Sequence, residues 1–280
     1  LTFGAAGSNH ALATAIYSKK VGLNCISMLM PQPNSRFVRK NLLRAYMAGA
    51  ELHYNTHYEL MSINALTQMI LHKLKTGQAP MMIPPGGSSS LGSVGFVNAA
   101  FELKEQIENN LLPEPDFIYV AMGTAGTSMG LKLGLRAAGL KTRVIPVRVV
   151  DELFCNDIVA KFLYNNINNL LHNADTNFPF FPITPEETRI NNDCFGEGYG
   201  QFTPGGNESM QLLKEKENIE IEGTYTAKAF SAILKDRKKL SGKTVLFWNT
   251  YNAVNFDEVI EDVDYHNLPQ KLHIYFEENY

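Results

Sequence analysis

The sequence predicts an α/β protein with two open parallel-sheet domains, and three features of its 280 residues lead there. Short apolar runs of strand length alternate with longer segments of helical spacing, the rhythm of parallel strands joined by right-handed helical crossovers. One glycine- and serine-rich stretch, "PPGGSSSLGSVG", interrupts that rhythm and reads as a domain boundary near Gly95. Beyond it the alternation resumes as far as the strand-sized run "KTVLFW". A smaller domain is therefore expected over residues 1–95 and a larger one over residues 96–280.

In the first domain, a strand at Leu1 stops at Gly4-Ala5-Ala6-Gly7, and a helix starts from Ser8-Asn9-His10. Leu12, Ala15 and Ile16 give that helix its apolar face, and Gly22 ends it. "LNCISMLM" is a buried-strand run, and "SRFVRKNLLRAYMAGA" is a helix capped by Ser35 with basic residues outward. The strand "AELHY", the amphipathic helix "YELMSINALTQMILHKLKTG" and the strand "MMIP" complete the domain.

The second domain opens with the helix "FVNAAFELKEQIENN" and the strand "DFIYVAM". A glycine loop, the helix "TSMGLKLGLRAAG" and the strand "RVIPVRVV" follow. From Asp151 to Ile190 the pattern is a helix and then a Pro/Asn-rich loop. The helices "GNESMQLLKEKEN" and "YTAKAFSAILKD" precede the last strand.

Composition narrows the function classes. At 45% hydrophobic, 19% charged and a formal charge of −3, the chain is an ordinary globular protein, not basic enough for nucleic acid. Its apolar runs are too short to span a membrane. Three cysteines, Cys25, Cys155 and Cys194, fit neither a zinc pattern nor a disulfide framework, so no metal site is expected. Reduced thiols in the cytoplasm are the expected state. Because the chain opens on Leu1 inside an apolar run, a preceding segment is expected.

Four stretches could carry chemistry. In "VAMGTAGTSMG", a strand ends at Met122, and Gly123-Thr124-Ala125-Gly126-Thr127 runs straight into a helix. The unpaired N–H groups of such a turn suit a phosphate; equally, the turn could be plain strand–helix geometry, with Gly126, Gly130 and Gly134 packing the helix on the sheet. It is neither the dinucleotide fingerprint nor a P-loop. Ser8-Asn9-His10, at a helix start, suits a carboxylate or is simple capping. Tyr199 in "GEGYGQFTP" and Tyr225-Thr226 in "EGTYTAKAF" are either pocket residues or a surface turn and a helix cap.

Together and in order, "TFGAAGSNHALATA", "IPPGGSSSLGSVGF", "VAMGTAGTSMGL", "GEGYGQFTP" and "YTAKAF" resemble the 1-aminocyclopropane-1-carboxylate deaminase and D-cysteine desulfhydrase family. These are pyridoxal-5′-phosphate enzymes of the tryptophan-synthase-β-like fold, and the likeness covers most of the chain. Tyr199 and Tyr225 stand 26 residues apart, as the family's two active-site tyrosines do. The resemblance implies that Ser8, Asn9 and His10 hold the substrate carboxylate, with Ser8 also near the reacting carbon and Asn9 bonding the cofactor's phenolic oxygen. It assigns the phosphate to Gly123, Thr124, Ala125, Gly126 and Thr127, and the substrate pocket to Tyr199 and Tyr225. One of these tyrosines would shuttle a proton if nearby positive charge lowered its pKa.

The deaminases carry glutamate after the second tyrosine, facing the pyridine nitrogen; here it is Thr226, as in the desulfhydrases. A neutral hydrogen bond there implies a weaker electron sink, which favours β-elimination from D-cysteine to pyruvate, ammonia and sulfide over ring opening. Thr250 matches the family's threonine near the cofactor ring, although Asn249, Tyr251 and Asn252 replace its usual neighbours. The resemblance further implies a small amino-acid substrate and a homodimer. The family's cofactor lysine lies upstream of the Ser-Asn motif, a position no residue here occupies; Lys19, Lys20 and Lys228 do not match it. Two expectations compete: a lyase lacking its N-terminal segment, or a relative that binds phosphate compounds without catalysis. In either case the 280 residues as given are expected to be inactive.

Overall fold

The structure, a computed structural model, describes residues 1–278. It divides the chain into two compact units, and each carries its own parallel sheet. The first runs from Leu1 to Gly87 and takes in the chain from Val254 onward; the second is Ser88–Ala253.

In the first unit, β1 (Thr2–Ala5), β2 (Ile26–Met30) and β3 (Glu51–Tyr54) lie side by side in that order, with Thr2 opposite Ser27 and Ile26 opposite Glu51. Between them run α1 (Asn9–Lys20) and α2 (Arg36–Met47); α3 (Tyr58–Thr76) follows. Side chains alternate across β2, so its two faces feed different cores. Leu29 packs with Leu12, Val38 and Leu42, and Met28 packs with Leu1, Met61 and Ala65. Both faces of the sheet are thereby covered, as an all-parallel sheet requires. Ser35 caps α2 through its hydroxyl, which accepts from the Val38 N–H at 3.3 Å. Gly77 ends α3 in the left-handed conformation.

Two expectations are corrected here. The run "MMIP" is not a strand of the sheet but a single bridge pairing Ile83 with Thr2. Pro84 and Pro85 follow at once and have no N–H to extend a ladder. The boundary also falls at Gly87/Ser88, earlier than Gly95, and the chain's end returns to the first unit instead of staying with 96–280. There Leu268, Leu272 and Tyr275 join the core of α1 and α2. The Tyr275 hydroxyl accepts from the Gln32 N–H at 3.1 Å, and Arg36 pairs with Asp257 at 2.9 Å.

In the second unit, β4 (Phe117–Met122) is central, flanked by β5 (Arg143–Arg148) and β6 (Val245–Phe247), all parallel. Helices α4 (Val94–Glu108) and α5 (Gly126–Ala138) cover one face, with Leu103, Leu131 and Leu135 against Ile118 and Val120. On the other face, Ala229 and Ala232 of α8 (Thr226–Asp236) meet Tyr119 and Val147. Helices α6 (Asp157–Ala174) and α7 (Pro204–Glu217) complete the unit. No helix among the described residues is long and apolar enough to cross a membrane.

Helices α4 and α5 touch through glycine. A Cβ on Gly134 would stand 2.5 Å from the Val97 carbonyl oxygen, and one on Gly130 would stand 2.7 Å from the Ser93 carbonyl. The packing role weighed for these two glycines is thus the observed one. Gly126 does something different.

Candidate active site

Parallel sheets bind ligands beyond the carboxyl ends of their strands. In the second unit, the loop Gly123–Ala125 leaves that end of β4 and enters α5. Ala125 has φ 71°, a left-handed conformation rare outside glycine, so successive N–H groups turn toward one side of the chain. The N–H groups of Thr124, Ala125, Thr127 and Ser128 have no acceptor among the described residues. Gly126 is needed for close approach: its N–H donates to the Ser88 hydroxyl at 3.2 Å, and a Cβ there would lie 2.8 Å from that oxygen. Ser88 also meets the Thr124 hydroxyl at 2.6 Å, so it braces the loop from outside. Ser88 is a residue that the sequence alone does not single out, since its partner Thr124 lies 36 residues away.

Tyr225 stands over this loop. Its Cε1 would be 3.6 Å from a Cβ on Gly123, an ordinary contact, so the protein itself would accept a side chain there. The missing side chain therefore leaves space beside the phenol. The Tyr225 and Tyr199 hydroxyls are 3.1 Å apart, with rings edge to face at 5.9 Å. Loop 123–127, Tyr199 and Tyr225 are thus one constellation. Burial pushes both phenols above their ordinary pKa, and the Glu222 carboxylate raises them further. No positive charge lowers them, so the condition set for a phenolate shuttle is not met; both hydroxyls stay protonated near neutral pH.

What holds Tyr225 is Glu222, a residue missed from the sequence. Its buried carboxylate accepts the N–H groups of Thr224 at 2.8 Å, Tyr225 at 2.6 Å and Thr226 at 2.8 Å. It thereby satisfies the donors at the start of α8, where negative charge is favoured. Thr226 is buried, and its hydroxyl accepts from the Glu222 N–H at 2.9 Å and donates back to Glu222. Thr250 lies exposed just past β6, with no hydrogen bond from its hydroxyl among the described residues.

In the first unit, Ser8 caps α1, its hydroxyl accepting the Ala11 N–H at 3.2 Å. A Cβ on Gly4 would be 2.6 Å from that oxygen, which explains glycine at the strand end. Asn41 donates to the Gly7 carbonyl at 2.9 Å and to Asn9 Oδ1 at 3.1 Å. The Asn9 carbonyl is held, and its amide NH2 is left exposed as a donor. With the N–H groups of Asn9 and His10, which meet no acceptor among the described residues, this forms an anion-facing helix start. His10 itself turns inward: its Nε2 is 2.8 Å from the Thr2 hydroxyl, and burial lowers its pKa, so the ring is neutral. Its backbone, not its ring, is what faces an anion.

The pyridoxal-phosphate dependent enzyme family matches residues 2–250, nearly the whole chain. The chain belongs to that family. The bifunctional D-cysteine desulfhydrase/1-aminocyclopropane-1-carboxylate deaminase of Arabidopsis thaliana, a mitochondrial protein, is 31% identical over 278 residues, covering 94% of this chain and 66% of the relative. The D-cysteine desulfhydrase of Klebsiella pneumoniae strain 342 is 30% identical over 242 residues, covering 84% of this chain and 69% of that one. The solved structure of an ACC deaminase homologue superposes with a TM-score of 0.73 at 25% identity, covering 93% of this chain and 76% of that one. The expected family and the α/β fold of tryptophan-synthase-β type are both borne out.

Pyridoxal phosphate fits the residues present. Unpartnered N–H groups around a left-handed Ala125 suit a phosphate, and the side-chain-free space at Gly123 lies beside the aromatic ring of Tyr225. Among the described residues, no group of three or more His, Cys, Asp or Glu could hold a metal.

Proposed function

We propose that the chain is a pyridoxal-phosphate dependent lyase acting on a small amino acid, with D-cysteine desulfhydrase-like β-elimination: D-cysteine and water give pyruvate, ammonia and hydrogen sulfide. The observation that carries this is the convergence of loop 123–127, Tyr199 and Tyr225 in one place. Gly123, Thr124, Ala125, Gly126 and Thr127 hold the cofactor phosphate, with Ser88 bracing them. When bound, pyridoxal phosphate supplies the electron sink for negative charge at the substrate α-carbon. Thr226 and Thr250 serve the cofactor ring, and the Asn9 amide its phenolic oxygen.

Ser8, with the N–H groups of Asn9 and His10, takes the substrate carboxylate. Tyr225 and Tyr199, protonated, act as acids: one phenol delivers a proton to the departing sulfide and the other orients it. Thr226 is neutral where the deaminases carry a carboxylate, and this supports elimination over ring opening. The alternative, 1-aminocyclopropane-1-carboxylate deaminase, draws on the bifunctional Arabidopsis relative. A homodimer in the cytoplasm is the setting we propose; its three unpaired thiols are consistent with a reducing compartment.

The natively expressed protein, supplied with pyridoxal phosphate, decides among these. Pyruvate and sulfide from D-cysteine support the proposal. If the cyclopropane acid gives 2-oxobutanoate and ammonia while D-cysteine gives no pyruvate, the deaminase takes its place. Cofactor binding with neither keto acid leaves a non-catalytic binder.

A further inference from the structure

Lys228 is fully buried, an unusual place for an ammonium unless something there needs its charge or its donor. Its Nζ donates to the Gly198 carbonyl at 3.0 Å and lies 5.2 Å from the centre of the Phe195 ring. Gly198 immediately precedes Tyr199. The segment around it has little stiffness of its own: it forms no helix or strand from Phe195 to Phe202, and Gly196 and Gly200 both have positive φ, at 76° and 75°. Helix α8 is the opposite. Its first turn is clamped by Glu222 and carries Tyr225 at its start and Lys228 one turn on.

We propose that Lys228 is a positioning residue: by holding the Gly198 carbonyl, it ties the Tyr199 loop to the helix that carries Tyr225 and so sets the contact between the two phenols. Its functional consequence rests on the lyase reading above, but the geometric claim does not. A charge-assisted bond to a carbonyl is stronger than a neutral one, and in a buried place no water replaces it when it is lost. Burial holds the Lys228 pKa down to about 8, so near neutral pH the group is still an ammonium with three donors. A methionine would fill the same channel without a donor. The lysine is therefore explained by the bond to Gly198, not by packing.

The test places 3-fluorotyrosine at position 199 and reads its fluorine resonance in the full chain, with Lys228→Met compared with the parent. Lys228→Leu takes its place if the methionine variant does not fold. Lys132→Met is the control, since Lys132 is a second buried lysine, on α5, bonded to the Glu187 carbonyl instead. Lys228→Met should shift or broaden the Tyr199 signal, and Lys132→Met should not. On whichever amino acid the parent turns over, kcat should fall on the order of 10- to 100-fold with little change in KM, as expected of a misplaced acid. In a Tyr199→Phe background the same substitution should cost less than about 3-fold, because the two changes act through one group. An unchanged fluorine signal in a folded Lys228→Met or Lys228→Leu protein overturns the proposal, whatever the enzyme assay gives. An inactive parent with a displaced Tyr199 signal in the variant supports the positioning role and rejects only the lyase reading.

Discussion

Replacing Glu222 by alanine should be among the most damaging single changes in the second unit. The carboxylate accepts three backbone N–H groups at 2.8, 2.6 and 2.8 Å, and those of Thr224 and Thr226 are buried bonds. A buried donor left without a partner costs about 1–3 kcal/mol. The two buried donors then account for roughly 2–6 kcal/mol, and the Tyr225 N–H, which water can reach, adds about 1 at most. Water entering the space left by the side chain offsets part of this, so about 3–4 kcal/mol is expected for Glu222→Ala. Glu222→Gln keeps one acceptor oxygen for Tyr225 and Thr226 but turns an NH2 toward the Thr224 N–H, so about 1–2 kcal/mol is expected. At roughly 2–4 °C per kcal/mol for a domain of this class, the alanine variant should melt about 6–16 °C lower. Differential scanning calorimetry of the parent and both variants measures the series. A Glu222→Ala protein melting within about 2 °C of the parent would show that these N–H groups find other partners, and the clamp on α8 would be wrong.

Gly126→Ala should weaken pyridoxal phosphate binding by about 10-fold or more, because the new methyl meets the Ser88 oxygen at 2.8 Å and breaks the bond that braces the loop. A fluorescence titration with the cofactor checks it, and parent-like affinity counts against a phosphate site at this loop. Stability should also climb between about pH 7.5 and 8.5. Lys132 and Lys228 are held down to about 8 from 10.5, so over that range the unfolded chain binds more protons than the folded one. Above about pH 8.5 the thiols of Cys25 and Cys155, pushed up by burial, act in the opposite sense, and above about pH 10 so do the raised phenols. Urea midpoints across the lower range should rise in the parent and rise less in Lys132→Met; equal slopes in the two would contradict the assignment.

The strand and helix alternation was readable because periodicity is local. Buried runs such as "ISMLM" and "FIYVAM", and caps such as Ser8, Ser35 and Gly77, signal themselves within a few residues. The turn between β4 and α5 was legible for the same reason, since a strand, a glycine turn and a helix start are contiguous. Glu222 was not legible. Its partners are only two to four residues away, but nothing in "IEGTYTAKAF" tells whether the carboxylate turns back onto the helix start or out to water. Ser88 and Lys228 were hidden differently, because their partners lie 36 and 30 residues off.

By itself, the order of residues determined that two parallel sheets form, that a turn with free N–H groups follows β4, and that two tyrosines stand at a family spacing. Tertiary structure decided that those tyrosines touch, that their phenols are pushed up instead of down, and that His10 turns inward to Thr2. It also returned the chain's end to the first unit. The division has one physical cause: backbone conformation answers to neighbours along the chain, whereas desolvation and hydrogen-bond partnership depend on which distant segments exclude the water.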